Sequence, residues 1–150
     1  MVAQVSEPLF VPASAAGALQ ALEQLPAHTA SAPLSRFAID RSAAASRDYA
    51  HWRTFTPNLT NGATRLLADS VLDRAHHAGF QALRALALLG ERETYTVAIE
   101  NLRSHAPTQR ANALEALENV REAALVRPLL RAWESGEPAG EAKIAPPWPE

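Results

Sequence analysis

Residues 82–86 read Ala82-Leu83-Arg84-Ala85-Leu86, and residues 113–117 read Ala113-Leu114-Glu115-Ala116-Leu117. The two segments superpose without a gap at an offset of 31 residues, from Ala82 to Ala113. The same offset carries Leu89 to Val120, Glu91 to Glu122, Ala98 to Leu129, Ile99 to Leu130 and Leu102 to Trp133. Four Ala/Leu matches in five positions are within reach of chance. A register that also preserves the core positions of a second helix is a stronger signal. Self-similarity at such a period marks helical solenoids, whose two-helix units bury their faces by stacking on one another. The expected fold is therefore all-α: a short α-solenoid of helical hairpins with additional N-terminal helices.

Working outward, residues 92–104 carry Tyr95, Ala98, Ile99 and Leu102 at i, i+3, i+4 and i+7, the spacing of one buried helical face. Pro107 fits the first position of the next helix, over 108–120. There Ala113, Leu114, Leu117 and Val120 share one side, and Asn112, Glu115 and Asn119 form a polar side. A last helix over 123–134 carries Leu125, Val126, Leu129, Leu130 and Trp133. Pro128 fits it only if the helix starts late or kinks. Upstream, a long helix over 63–89 shows a stripe of Leu67, Val71, Ala75, Ala78, Ala82, Leu86 and Leu89. Its second half is apolar on several sides, which places it centrally. Gly79 is a candidate bend, and Gly90 a candidate C′ terminator. The 31-residue offset taken backwards is weaker: Leu67, Ala68 and Val71 align with Ala98, Ile99 and Leu102, without a loop signal after them.

The N-terminal part shows no copy of the unit. Ser14 is a candidate cap for a short helix over 15–25 that Pro26 stops. His28 to Pro33 reads as a small-residue linker, followed by a helix over 35–55 with Phe37, Ala38, Ala45, Tyr49 and Trp52 inward. Asn58, Asn61 and Gly62 mark the loop after it. The expected organisation is an N-terminal segment (1–34), a helical repeat domain (35–134) and a proline-rich tail (135–150).

The bulk numbers agree with a helical, soluble reading. The hydrophobic fraction is 47%, much of it alanine, and aromatics are 6%, too few for a β-sandwich or barrel. A net charge of −2 carries no sign of nucleic-acid binding. The chain has no cysteine, which removes disulfides, thiolate zinc sites and cysteine nucleophiles. No apolar run reaches membrane-spanning length, and the first residues lack the pattern of a signal peptide. The expected location is the cytoplasm, with tethering at the cytoplasmic side of a membrane as part of a larger protein as the variant.

No phosphate loop, nucleophile elbow or zinc-protease motif occurs. The neighbours His76 and His77 point about 100° apart on a helix, a poor start for one metal site. Asp69 and Asp73, with Arg65, and Glu115, Glu118 and Glu122, with Arg121, read as solvated helix faces with local ion pairs. We therefore expect no catalytic residues, no metal and no cofactor. The face carrying Asn112, Glu115 and Asn119 stands out, because asparagine is a mediocre helix former. It either recognises a partner or bonds a neighbouring loop to keep repeats in register. Trp52, Trp133 and Trp148 are further candidate anchors, with Trp133 falling on a core position and Trp148 in the tail segment Ala145-Pro146-Pro147-Trp148-Pro149.

The run Arg110-Ala111-Asn112-Ala113-Leu114-Glu115-Ala116-Leu117-Glu118-Asn119 resembles the signature of bacterial HEAT-repeat domains. Leu86-Ala87-Leu88-Leu89-Gly90, Ile99-Glu100-Asn101-Leu102-Arg103-Ser104 and Pro128-Leu129-Leu130 are similar to the same pattern. The likeness covers residues 63 to 134 and is of the kind found with nucleotide-translocase or major-facilitator-like membrane proteins. Glu118 replaces the aspartate that the pattern prefers, and Ala106 replaces a capping aspartate. The resemblance implies a non-catalytic interaction or regulatory scaffold domain that binds a protein partner or an adjacent domain. Two alternatives stand beside it: a soluble fragment of a transporter-like membrane protein, and a small helical enzyme whose suspects are Asp73, His76, His77 and Arg84.

Overall fold

A computed structural model describes residues 15–24 and 27–134. The described residues form six α-helices and no strand. They are α1 (Ala15–Glu23), α2 (Ala27–Phe55), α3 (Gly62–Leu89), α4 (Arg92–Arg103), α5 (Pro107–Glu118) and α6 (Ala123–Glu134), with one 3-10 turn at Thr56–Asn58. The expected cap at Ser14, and the tail with Trp148, lie outside the described residues.

The helix ends follow from their residues. Asn61 caps α3: its side chain accepts from the Thr64 backbone N–H at 2.9 Å, and the Thr64 hydroxyl accepts from the Asn61 N–H at 3.3 Å. This reciprocal box satisfies two donors that a helix start leaves orphaned. Pro107 opens α5 behind Ala106, which supplies no side-chain cap, as its methyl group dictates. Gly90 ends α3 with its N–H still bonded to Leu86. It does so at φ −161°, not in the left-handed conformation expected of a C′ glycine.

The linker expected at His28–Pro33 is instead helix, continuous from Ala27 to Phe55. The small residues there hid the pattern, since Ala30, Leu34, Phe37 and Ala38 sit at i, i+4, i+7 and i+8 and all four are buried. Tertiary burial of that face outweighs the hydrogen bond that Pro33 removes. Pro128 likewise sits inside α6, on its exposed side. Its missing N–H leaves the carbonyl of Ala124, also exposed, to water.

The 31-residue offset is visible in the helices themselves. It maps α4 onto α6 end to end, both 12 residues long. Tyr95, Ala98, Ile99 and Leu102 are buried, and so are their counterparts Val126, Leu129, Leu130 and Trp133. Ala82 and Leu86 correspond in the same way to Ala113 and Leu117.

A stacked solenoid would lay α5 along α3 and α6 along α4. The extensive pairings run instead α3–α4, α4–α5, α5–α6 and α6–α3, a closed up-and-down ring, with α2 packed along α3 and α6. The core is one cluster that joins all six helices, from Leu19 and Phe37 through Leu83 and Tyr95 to Leu117 and Trp133. The two described ion pairs both tie helices together: Arg74–Asp48 between α3 and α2 at 3.0 Å, and Arg84–Glu23 between α3 and α1 at 2.9 Å. The pairs expected along single helices, Arg65 with Asp69 and Glu118 with Arg121, are not among them.

Candidate functional site

Helix α4 has two working sides. Tyr95, Ala98, Ile99 and Leu102 enter the core, whereas Glu93, Val97 and Asn101, spaced by four, line the edge that faces α5. The short turn after α4, where Ser104 Oγ accepts from the Ala106 N–H at 3.1 Å, returns the chain so that α5 runs antiparallel beside it. The buried Ala98 and Ala113 line the bottom, and their small side chains leave an open groove of about 310 Å³. Its walls are Glu93, Val97 and Asn101 on α4, and Asn112 and Ala116 on α5. Val97 is 49% exposed and gives the groove an apolar wall. Glu93 is the one ionisable residue of this lining, so the groove is apolar at its base and amide-rich at its rim. Each amide offers both a donor and an acceptor.

The three residues singled out on α5 do not act alike. Asn112 is exposed and lines the groove. Glu115 is exposed outside that lining. Asn119 follows the last residue of α5, and its side-chain amide donates to the Glu115 carbonyl at 2.9 Å. It caps its own helix and does not bridge to a neighbouring loop.

A second cleft, of about 240 Å³, lies between α1, α3 and α4. Arg84, Arg92 and Arg103 line it with Glu23 and Glu100, over Leu88 and Ile99. Arg84 is held by Glu23, and the Arg103 guanidinium lies 5.0 Å from the ring centre of Phe80.

His76 and His77 diverge as their helical phase requires. His76 stacks on Trp133 with ring centres 5.1 Å apart, and its Nε2 lies 3.0 Å from the Ala132 carbonyl. Arg110 donates to the next carbonyl, that of Trp133, at 3.3 Å. Two carbonyls that the end of α6 leaves orphaned thus receive side chains from α3 and α5. Burial pushes the His76 pKa down, against the opposing effects of the Ala132 carbonyl and Asp73; nearby Arg110 also lowers it. The neutral form with its proton on Nε2 fits the bond to Ala132. His77 is exposed, with Gln81 at 3.1 Å. Tyr95 is fully buried, and its hydroxyl donates to Glu122 at 2.8 Å. Desolvation, then the adjacent carboxylate, push its pKa strongly up.

Of the four enzyme suspects, Asp73 acts on His76 through its charge, but Arg84 is not brought to them. Arg84 faces the α1 side, in its pair with Glu23, while Asp73 and His77 are exposed and His76 is engaged with α6. Glu122, read in the sequence as part of a solvated acidic face, is the acceptor for Tyr95. Trp52 stacks on Tyr49 with ring centres 5.5 Å apart. Sequence reasoning missed Val97 and Asn101. Their spacing of four was readable, but nothing local showed that α5 would stop short of covering them.

No helix of the described residues is long and apolar enough to cross a membrane. Comparison with known proteins returned no matching protein family, no matching curated protein and no matching solved structure, so the likeness to HEAT-repeat domains rests on the residues quoted above.

Proposed function

We propose that this domain is a non-catalytic protein-interaction module built from HEAT-like helical pairs, and that the groove between α4 and α5 is its contact face. The observation that carries this reading is the position of Val97, half-exposed in an open groove between the amides of Asn101 and Asn112. An extended peptide suits such a surface. Its backbone N–H and C=O groups need partners when they leave water, and the two asparagines supply both kinds. An apolar side chain of the peptide covers Val97 and Ala116. The 31-residue repeat supports the HEAT-like part of the reading through the equal lengths and matching burial of α4 and α6, while α3 is 28 residues long against 12 for α5.

The test is selection of a displayed random peptide library on the full chain, followed by titration of enriched peptides. Enriched peptides share an apolar residue and lose binding to Val97→Asp and Asn112→Ala chains that melt like the parent. Absence of enrichment, or binding indifferent to both substitutions, overturns the proposal.

A further inference from the structure

The cleft between α1, α3 and α4 is built differently from the groove on the other flank of α4. Positions 92, 96, 100 and 103 of α4 line the cleft. Positions 93, 97 and 101, each about 100° further around the helix, line the groove. The floor of the cleft is apolar: Ala87 and Ile99 are both 8% exposed, and Leu88 is half-buried beside them. Its rim is charged. Arg84, Arg92 and Arg103 stand against Glu23 and Glu100, so the lining has one positive charge in excess, on a chain of net charge −2.

Two of the guanidiniums border the same end. Glu100 precedes Arg103 by three residues, a spacing that permits an ion pair along a helix. Arg103 does not form that pair. Among the described residues no carboxylate bonds to it, and its guanidinium lies 5.0 Å from the ring centre of Phe80 on α3. Phe80 precedes Arg84 by four residues, on the same side of α3 and about 6 Å along the axis. The ring thus anchors Arg103 one turn of α3 away from Arg84. Arg84 is held in turn by Glu23, whose Oε1 accepts from Nη2 at 2.9 Å. A guanidinium has five N–H donors, so neither contact exhausts its arginine.

Beside these donors the floor continues for one more turn of α3, from Arg84 to Leu88, again about 6 Å. A fork of N–H donors suits a two-oxygen anion, and the floor suits a compact apolar body. The cavity of about 240 Å³ is smaller than the roughly 300–1,000 Å³ of sites that hold drug-sized molecules, which limits the body to the size of a ring. The single excess charge matches a monoanion.

We propose that this cleft binds a small amphipathic carboxylate. The carboxylate sits between Arg84 and Arg103, and its ring-sized apolar body lies over Ala87, Leu88 and Ile99. Glu100, exposed on the same rim, opposes the ligand and keeps the affinity low.

Calorimetric titration of the full chain with 3-phenylpropanoate tests the site. The matching amide, 3-phenylpropanamide, lacks the charge, and acetate lacks the body. The acid is expected to bind about tenfold more tightly than either. Arg103→Gln is expected to weaken it about tenfold, the loss of one hydrogen bond between charged groups. Glu100→Gln removes the opposing charge and is expected to tighten it. Melting curves check that the loss at 103 is not a loss of fold, and a gain at 100 cannot come from unfolding. A chain that does not bind the acid overturns the proposal, as does an acid bound no more tightly than its amide. So does an affinity that Arg103→Gln leaves unchanged or that Glu100→Gln lowers.

Discussion

The indole of Trp133 occupies the space that Gly79 leaves by having no side chain: a Cβ at residue 79 would stand 2.5 Å from Trp133 Cη2. The indole is 4% exposed and held between His76 and Phe80, so it has little freedom to retreat. Gly79→Ala gains about 1 kcal/mol of helix propensity. Overpacking costs about 1–3 kcal/mol, and that effect wins here. Chemical denaturation of the variant should show a net loss of stability, accompanied by a changed tryptophan emission. Unchanged or improved stability would contradict the close approach.

Tyr95 and Glu122 give an asymmetric pair. Tyr95→Phe removes a hydrogen bond to a charged acceptor but leaves an apolar ring in a buried site, and Glu122 is partly exposed and regains water. The expected cost is about 1.5 kcal/mol, the low end for a bond to a charged group. Glu122→Ala leaves the buried hydroxyl without its acceptor and costs more, about 2–3 kcal/mol. Equilibrium unfolding of both variants checks the order.

His76 sets part of the acid sensitivity. Its folded pKa lies below the unfolded value of 6.5, so below about pH 6.5 the unfolded chain binds more protons at this position than the native one does. The stability it contributes is complete above that pH and is lost as the pH falls through the lower, folded pKa. His76→Phe keeps a flat ring over Trp133 but removes both the titration and the donor to Ala132. Melting temperatures between pH 8 and pH 5 should be lower for the variant at neutral pH and should fall less steeply with acid. Parallel curves for the two chains would exclude His76 as a source of the slope.

Asn61 and Asn112 separate a structural asparagine from a surface one. Asn61→Ala removes the cap of α3 and should cost about 1 kcal/mol. Asn112 is exposed, so Asn112→Ala should stay within about 0.5 kcal/mol of the parent. Urea midpoints measured side by side decide the point, and a large loss at Asn112 would reassign it to the scaffold.

The amino-acid sequence by itself determined the all-helical class, the positions of α3 to α6 within a residue or two, and the correspondence of Ala98, Ile99 and Leu102 with Leu129, Leu130 and Trp133. These are local properties, since periodicity and capping act within one helix or its end. The tertiary structure decided the rest. It extended α2 back through Pro33, because burial of Ala30 and Leu34 is a gain that no local propensity contains. It exposed Leu67, which begins an apolar stripe in the sequence, because the short helices stop at His76 and leave the start of α3 uncovered. It gave Gly79 a reason in the indole that rests on it, where the sequence suggested a bend. It closed α6 onto α3, through Trp133 and the Ala132 carbonyl, 56 residues from its partner His76. Contacts at such separations depend on which faces meet, and a repeat of 31 residues fixes the faces without fixing their neighbours.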